Sequence, residues 1–219
     1  MPLFYQQDIN ESTKIGIWKI DEPEFFFLEK VPLKNDVSHP HKRLQHLAGR
    51  WLLPYLFPDF PLEEILIADT RKPFLRDEKY HFSISHCGDF AAAIVSSKNR
   101  VGVDVELIVP RIEKIQHKFI SPEEYELAAA HWPKSFVGRK EQEGMHALQT
   151  LIWSAKEAVY KWYGDGLVDF RRHIILEYFQ PQSAIGNYLL SFRFAKGNAI
   201  SLPLHIKFFD RLVLAWVNC

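Results

Sequence analysis

Hydrophobic residues recur at helical spacing in two long segments of the chain. Over residues 41–57 this apolar stripe consists of Leu44, Leu47, Ala48, Trp51 and Tyr55. Over residues 145–163 it consists of Leu148, Leu151, Ile152, Ala155, Val159 and Trp162. The pattern predicts two amphipathic helices. The second should end at Gly164, because glycine is favoured just after a helix.

A third helix is predicted by its start signal. Ser121, Pro122 and Glu124 place a capping serine, a proline in the first turn and a glutamate at the third helical position, which is the capping-box arrangement. We therefore expect a helix over residues 122–131. A mostly polar surface segment should follow it over residues 132–144.

Other segments alternate between apolar and polar residues, which is typical of strands. The predicted strands cover residues 15–20, 25–28, 65–69, 90–96, 100–107, 173–179, 188–194, 205–209 and 212–217. A turn at residues 97–99 favours a hairpin between two of them. Each half of the chain thus contains a helix and several strands. We expect an α+β fold of two similar, pseudo-duplicated α/β halves, residues 1–100 and 101–219, packed around a central cleft.

Composition narrows the class of protein. The 219 residues are 47% hydrophobic, which indicates a globular chain with a sizeable core. The 27 basic and 27 acidic residues balance, so overall charge gives no reason to expect nucleic acid. Two cysteines cannot form a disulfide framework, and we find neither a signal peptide nor a stretch long enough to span a bilayer. A cytoplasmic protein with no membrane partner is the expectation.

Two carboxylates lie on one face of the predicted strand over residues 100–107. In the segment VGVDVE, alternation turns the valines to one face and Asp104 and Glu106 to the other. Acidic residues are poor strand formers and neighbouring like charges repel, whereas a divalent cation would offset that repulsion. A half-exposed strand face with no ligand is the alternative interpretation.

The helix over residues 145–163 offers a third carboxylate. Glu157 and Lys161 lie on its polar side and are flanked by Trp153 and Tyr160, which suggests that something covers this face. Three oxygen ligands beside a basic side chain would suit Mg²⁺ holding a phosphorylated substrate. The alternative is a solvated face with an ordinary ion pair contributing roughly 0.2–0.5 kcal/mol.

Further side chains are candidates for phosphate binding. Ser85 and His86 stand at a strand end, where they could donate hydrogen bonds to phosphate oxygens, although such a pair also occurs as plain strand-end residues. Arg43 and Arg50 lie seven residues apart, near one edge of the first apolar stripe. Walker loops, dinucleotide fingerprints, Gly-x-Ser-x-Gly elbows and His-Glu-x-x-His motifs are absent from the sequence.

The order of these motifs resembles the 4′-phosphopantetheinyl transferase superfamily. Lys72-Pro73 is followed by FSISH at 82–86, VGVDVE at 101–106 and WSAKEAVYK at 153–161, and Ala48-Gly49-Arg50 is similar to the arginine-bearing first helix of that family. The resemblance runs from about Arg43 to Trp162. In length and order it is to the large, monomeric kind typified by the surfactin synthetase-activating enzyme.

This resemblance implies transfer of phosphopantetheine from coenzyme A to a serine of an apo acyl or peptidyl carrier protein, with release of adenosine 3′,5′-bisphosphate. Metal ligands to Mg²⁺ would be Asp104, Glu106 and Glu157. Catalytic groups would be Lys161, on the transferred phosphate, and Glu157 or a metal-bound water, as base. The residues implied to bind coenzyme A are Arg43, Arg50, Lys72, Pro73, Ser85, His86 and Lys156. One departure is Cys87, which stands where the family usually has a small hydroxyl residue.

Two other classes of function stay open at this point. A non-catalytic binding protein for coenzyme A or a carrier would bind coenzyme A without regard to Mg²⁺. A Mg²⁺-dependent phosphohydrolase would release product without a protein acceptor.

Overall fold

The computed structural model describes residues 3–32, 37–133, 141–183 and 186–219. It divides into two compact units. The first comprises residues 1–105 together with Asn218, and the second comprises residues 106–217 together with Cys219. The division therefore falls inside a strand, between Val105 and Glu106, whereas the sequence places the boundary after residue 100.

Helices and strands alternate irregularly along the chain. The helices are α1 (Glu24–Leu28), α2 (Pro40–Leu56), α3 (Pro122–Ala130) and α4 (Glu141–Tyr163). The strands are β1 (Leu3–Asn10), β2 (Thr13–Lys19), β3 (Leu66–Ile67), β4 (Pro73–Phe74), β5 (His81–Cys87), β6 (Phe90–Ser96), β7 (Val101–Leu107), β8 (Ile174–Pro181), β9 (Asn187–Phe194), β10 (Ile200–Phe209) and β11 (Leu212–Asn218). Short 3-10 turns cover Leu62–Glu64, Pro110–Lys114 and Gln116–Lys118.

The first unit is an antiparallel sheet carrying one long helix. Its strands have the order β1-β2-β6-β5, and α2 packs against them. The buried apolar residues of α2 are Leu47, Ala48, Leu52, Leu53 and Leu56. The predicted stripe is therefore only partly right, since Tyr55 is exposed. Gly49 explains how closely α2 approaches β5. A Cβ at this position would lie 2.6 Å from Cγ2 of Ile84, so only glycine fits without a shift.

The second unit contains most of a larger sheet. This five-stranded sheet has the order β7-β11-β10-β9-β8, where β7 is the strand that the division crosses, and α4 packs its apolar residues into the same core as the strands. Ser121 caps α3 as expected, since its side chain accepts from the backbone N–H of Glu124 while the Glu124 carboxylate accepts from the Ser121 N–H. Both units mix helices and antiparallel strands, in agreement with the expected α+β class.

Most predicted elements are confirmed, and three points are corrected. Residues 25–28 belong to helix α1, because Pro23 at the N-cap and Glu24 in the first turn start a helix that buries Phe27. The hairpin between 90–96 and 100–107 is wrong, since β6 pairs with β2 and β5 while β7 joins the other sheet. Strand β1 was not predicted.

Two further boundaries differ in detail. Helix α4 begins at Glu141, earlier than expected, so the predicted surface segment ends before that residue. The middle of this segment, residues 134–140, lies outside the described residues. Within the described part of the chain, no helix has the length and apolar character needed to cross a membrane.

Candidate active site

The carboxylate of Asp104 is held in place by strand β5. Asp104 is buried, with 3% of its surface exposed, and its Oδ1 accepts a hydrogen bond of 2.8 Å from the hydroxyl of Ser85. Two residues earlier on β5, the hydroxyl of Ser83 accepts from the backbone N–H of Val103 at 3.1 Å. Two buried serines thus attach β5 to β7, and one of them orients a predicted metal ligand.

This contact changes the interpretation of Ser85. The sequence predicts that its hydroxyl binds a phosphate of coenzyme A. A serine has a single O–H to donate, and here that hydrogen is used on Asp104. Ser85 therefore acts on the carboxylate of Asp104 directly.

Glu106 is linked to the polar side of helix α4. The indole N–H of Trp153 donates to Oε1 of Glu106 at 3.3 Å. Aromatic neighbours fix the indole, with the ring of Phe119 at 5.0 Å and that of Phe170 at 5.5 Å between centroids. Glu157 follows Trp153 by one helical turn and is half-buried. The second unit thus brings a carboxylate of β7 to the helix that carries the third predicted ligand.

Lys161 lies one turn beyond Glu157 and is also half-buried. Both side chains of this face are thus partly withdrawn from water, and whether they hold a metal and a phosphate or form an ordinary ion pair stays a prediction. Ser154, one turn before this pair on α4, is fully buried. His146 is buried as well, and its Nε2 lies 3.4 Å from Oε2 of Glu113.

The structure corrects the prediction for Lys156. Its side chain has no exposed surface, and its ammonium donates to both carboxylate oxygens of Glu124, at 2.7 and 2.9 Å, and to the carbonyl of Phe170 at 3.0 Å. Burial lowers the pKa of Lys156, and the Glu124 carboxylate opposes this effect. With three donors used and no surface exposed, Lys156 has nothing to offer coenzyme A.

The first unit contains a cavity beside Arg50. This cavity of about 190 Å³ is lined by Val31, Pro32, His46, Arg50, Leu62, Ile65, Leu66 and Ile67. Arg50 is half-buried, and one of its terminal N–H groups lies 2.9 Å from Nδ1 of His46. Because a guanidinium only donates, Nδ1 must be the acceptor and the imidazole is neutral.

Electrostatics in this cavity agree with that assignment. Burial, the Arg50 charge and His86 together lower the pKa of His46 to about 4. Burial also lowers the pKa of Arg50. Within the described ranges, no carboxylate lies at salt-bridge distance from the Arg50 guanidinium. A half-buried cation without an acidic partner, facing a cavity, is arranged to receive an anion.

Other predicted nucleotide-binding residues lie around the same cavity or away from it. Pro73 pairs with Ile67, a lining residue, so the Lys72-Pro73 motif runs beside the cavity wall. His86 is exposed at the end of β5 and contributes to the pKa of His46. Arg43 is engaged elsewhere, since its guanidinium donates to both oxygens of Glu24 at 2.7 and 2.9 Å.

Sequence reasoning did not single out His46 or Ser83. The position of His46, four residues before Arg50 on one helix, predicts contact between the two side chains, so that signal was available. For Ser83 only the tertiary contact of its hydroxyl with the backbone N–H of Val103 reveals a role. Across the part of the chain that the structure describes, no three His, Cys, Asp or Glu side chains are gathered closely enough to hold a metal ion.

Comparison with known proteins assigns the family. Residues 100–212, slightly more than half of the chain, match the model of the 4′-phosphopantetheinyl transferase superfamily. The chain belongs to this superfamily. The matched residues contain the predicted metal strand and the helix with Glu157 and Lys161.

Individual members of the superfamily are similar over a longer or shorter part of the chain. The 4′-phosphopantetheinyl transferase AcpT of Escherichia coli O157:H7 is 30% identical over 60% of this chain, and the match spans 64% of that relative. Enterobactin synthase component D of Salmonella austin is 32% identical over 57% of this chain and 49% of the relative. A putative 4′-phosphopantetheinyl transferase of Haemophilus influenzae is 29% identical over 72% of this chain and 70% of the relative. The chain therefore spans less than two thirds of the first two relatives.

Proposed function

We propose that this protein transfers the 4′-phosphopantetheine group of coenzyme A to a serine of an apo carrier protein and releases adenosine 3′,5′-bisphosphate. The observation that carries this proposal is the contact between Trp153 and Glu106. It joins a carboxylate of β7 to the helix of Glu157 and Lys161, inside the part of the chain that matches the superfamily.

Mg²⁺ would be held by Asp104, Glu106 and Glu157. Carboxylate oxygens are the ligands that Mg²⁺ takes in proteins. Because the described residues do not gather three such side chains at metal-binding distance, the proposal requires these carboxylates to converge when the ion binds. Asp104 and Glu106 share one face of β7, and the hydroxyl of Ser85 orients the carboxylate of Asp104. When bound, the ion would neutralise negative charge on the pyrophosphate.

The side chains of this protein would position the reactants and neutralise charge. The serine oxygen of the carrier forms a bond to the β-phosphorus of coenzyme A, and the bond from that phosphorus to the bridging oxygen breaks. The serine proton goes to the carboxylate of Glu157, and the leaving group is adenosine 3′,5′-bisphosphate. Lys161 stabilises charge on the transferred phosphate. Such a reaction requires mainly positioning and electrostatic stabilisation from the protein.

The nucleotide end of coenzyme A would bind in the first unit. Arg50 supplies an uncompensated positive charge at the cavity, and His46 holds its guanidinium. Lys72 and Pro73 flank the cavity wall, and His86 presents an exposed imidazole to the phosphates. Arg43 is a weaker candidate than Arg50, because Glu24 already neutralises it.

The finer assignment is to the large, monomeric type of the superfamily. The presence of a sheet with one long helix in each unit supports two pseudo-duplicated halves. A monomer, a cytoplasmic location and an acyl or peptidyl carrier as partner belong to this same proposal. The packing of the halves around a central cleft stays a prediction.

The test is the intact mass of an apo acyl carrier protein after incubation with this protein, coenzyme A and Mg²⁺. We expect the carrier to gain one phosphopantetheine group, and the gain to vanish when EDTA is present. No gain with several carriers, together with coenzyme A binding that is indifferent to Mg²⁺, would point to the non-catalytic binding protein. Phosphate or nucleotide release without any carrier would point to the hydrolase.

A further inference from the structure

The buried ion pair between Lys156 and Glu124 lies directly beside the predicted catalytic face of α4. Glu124 has 3% of its surface exposed and Lys156 none. The carboxylate accepts four hydrogen bonds, two from the ammonium, one from the N–H of Leu176 at 2.8 Å and one from the N–H of Ser121 at 3.0 Å. The third ammonium donor meets the carbonyl of Phe170 at 3.0 Å. All hydrogens of the ammonium are thereby used.

These contacts connect four parts of the second unit at one point. Lys156 belongs to α4, Glu124 and Ser121 to the first turn of α3, Leu176 to β8 and Phe170 to the segment between α4 and β8. Hydrogen bonds depend on direction, whereas apolar contacts tolerate sliding and rotation. A helix attached in this way has a defined rotation about its own axis.

Stability alone gives little reason for such a pair. Transfer of two charges from water into the protein interior costs about as much free energy as their mutual attraction supplies. Proteins with well-packed apolar residues in the same place are often equally stable. Buried ionic groups are retained in some proteins because they specify one arrangement. Here the arrangement concerns the orientation of α4.

The residue after Lys156 is Glu157, and Lys161 follows one turn later. A side-chain tip lies about 5–6 Å from the helix axis, so a rotation of α4 by about 20° would displace it by about 2 Å. Misplacement of a reacting group by about 1 Å can cost about 100-fold in rate. The same rotation would strain the contact between Trp153 and Glu106.

We propose that the Lys156–Glu124 ion pair positions α4, so that Glu157 and Lys161 are presented correctly to the reacting phosphates. Lys156 and Glu124 are thus positioning residues that touch no substrate. This inference rests on the proposed transferase activity. It assigns to Lys156, a member of the WSAKEAVYK motif, a purpose other than binding coenzyme A.

The test replaces the pair by apolar residues of similar size, Glu124→Leu with Lys156→Met in one chain. We expect a cooperative unfolding transition near that of the wild type. The kcat of phosphopantetheine transfer should fall about 10- to 100-fold, while the KM for coenzyme A changes by less than about threefold. Calorimetric titration with Mn²⁺ should show weaker metal binding, because Glu157 has moved.

The matched control is Thr150→Val on the same helix. Thr150 is buried, and its hydroxyl has no hydrogen-bond partner among the described residues, so its loss should leave kcat and Mn²⁺ affinity unchanged. If the double variant gives no cooperative transition, Glu124→Gln serves in its place. This substitution keeps the shape and removes the charge, and a fall in kcat of at least about threefold at constant KM is expected.

Failure of the inference is distinguishable from failure of the transferase assignment. A wild-type protein that modifies no carrier would overturn both. A wild-type protein that modifies its carrier, beside an apolar pair whose kcat and Mn²⁺ affinity are unchanged, would overturn the positioning role alone. A change in the KM for coenzyme A alone, without a change in kcat, would also overturn the positioning role, because it would indicate that Lys156 takes part in substrate binding.

Discussion

Arg50 and Lys156 are two cations that the fold withdraws from water, and their surroundings are opposite. In the second unit, Lys156 has a carboxylate on one side, a carbonyl on the other and no exposed surface. In the first unit, Arg50 is held by the neutral imidazole of His46 and faces a cavity. A cation whose donors are all used within the protein contributes to the structure of the fold. A cation with an uncompensated charge beside a cavity can bind an anionic ligand.

The largest difference between the two regions is expected in the free energy of unfolding when each cation is replaced in turn. Lys156→Met leaves the Glu124 carboxylate buried without its counter-charge, and we expect the free energy of unfolding to fall by about 3–5 kcal/mol. Arg50→Met leaves no buried carboxylate behind and should change the free energy of unfolding by less than about 1 kcal/mol. Urea denaturation of both variants measures the difference. Equal losses would mean that the two cations have the same role.

Binding of coenzyme A should depend strongly on Arg50, although the stability of the fold should not. Loss of charge-assisted hydrogen bonds from Arg50 to an anion costs about 1.5–3 kcal/mol, so Arg50→Met should bind coenzyme A about 10- to 100-fold more weakly in calorimetric titration. Arg43→Met, on the same helix, is the matched control. Because Glu24 already engages Arg43, its loss should weaken binding by less than about threefold. A larger effect at Arg43 would exchange the roles of the two arginines.

A sharper contrast comes from two serines of β5 that both contact β7. Each of Ser83→Ala and Ser85→Ala removes one buried hydrogen bond and should cost about 1 kcal/mol of stability. Only Ser85 touches the carboxylate of Asp104. Ser85→Ala should therefore raise the Mg²⁺ concentration for half-maximal transfer by about tenfold. For Ser83→Ala this concentration should stay at the wild-type value, and a parallel shift would place Asp104 outside the metal site.

The last expected effect is confined to acid pH and concerns His46. The pKa of His46 is about 4 in the folded chain against an ordinary value of 6.5, so between these limits the unfolded chain binds more protons. Stability should therefore fall as the pH drops from 6.5 towards 4, and this contribution should be constant above 6.5. His46→Asn keeps an acceptor for Arg50 and does not titrate. Its stability, followed by urea denaturation, should decrease less over the same range than that of the wild type.

Local signals in the sequence predicted local structure well. The apolar stripe over residues 41–57 predicted α2, and the capping box of Ser121 and Glu124 predicted the start of α3. Such signals succeed because helix starts and amphipathic faces depend on residues a few positions apart. They failed at residues 25–28, where a run of aromatic residues has no clear period and the preceding Pro23 determines the helix.

Contacts between residues far apart in the sequence could not be predicted from local patterns. A turn at residues 97–99 suggested a hairpin, but β6 found its neighbours in β2 and β5. Likewise the motif at 153–161 implied that both of its lysines contact the substrate, Lys161 as a catalytic group and Lys156 in binding coenzyme A. Only the position of Glu124, 32 residues earlier, distinguishes the buried lysine from the half-buried one.

The sequence by itself determined the superfamily, the helices with strong periodicity or caps, and the candidate set of carboxylates and cations. All of these follow from residue type and short spacing. The tertiary structure decided which partners these candidates contact. Ser85 donates to Asp104, Arg43 and Lys156 form ion pairs with Glu24 and Glu124, and Arg50 donates to His46 beside a cavity. The physical reason is that the state of a charged side chain depends on its solvation and on neighbours that only folding brings together.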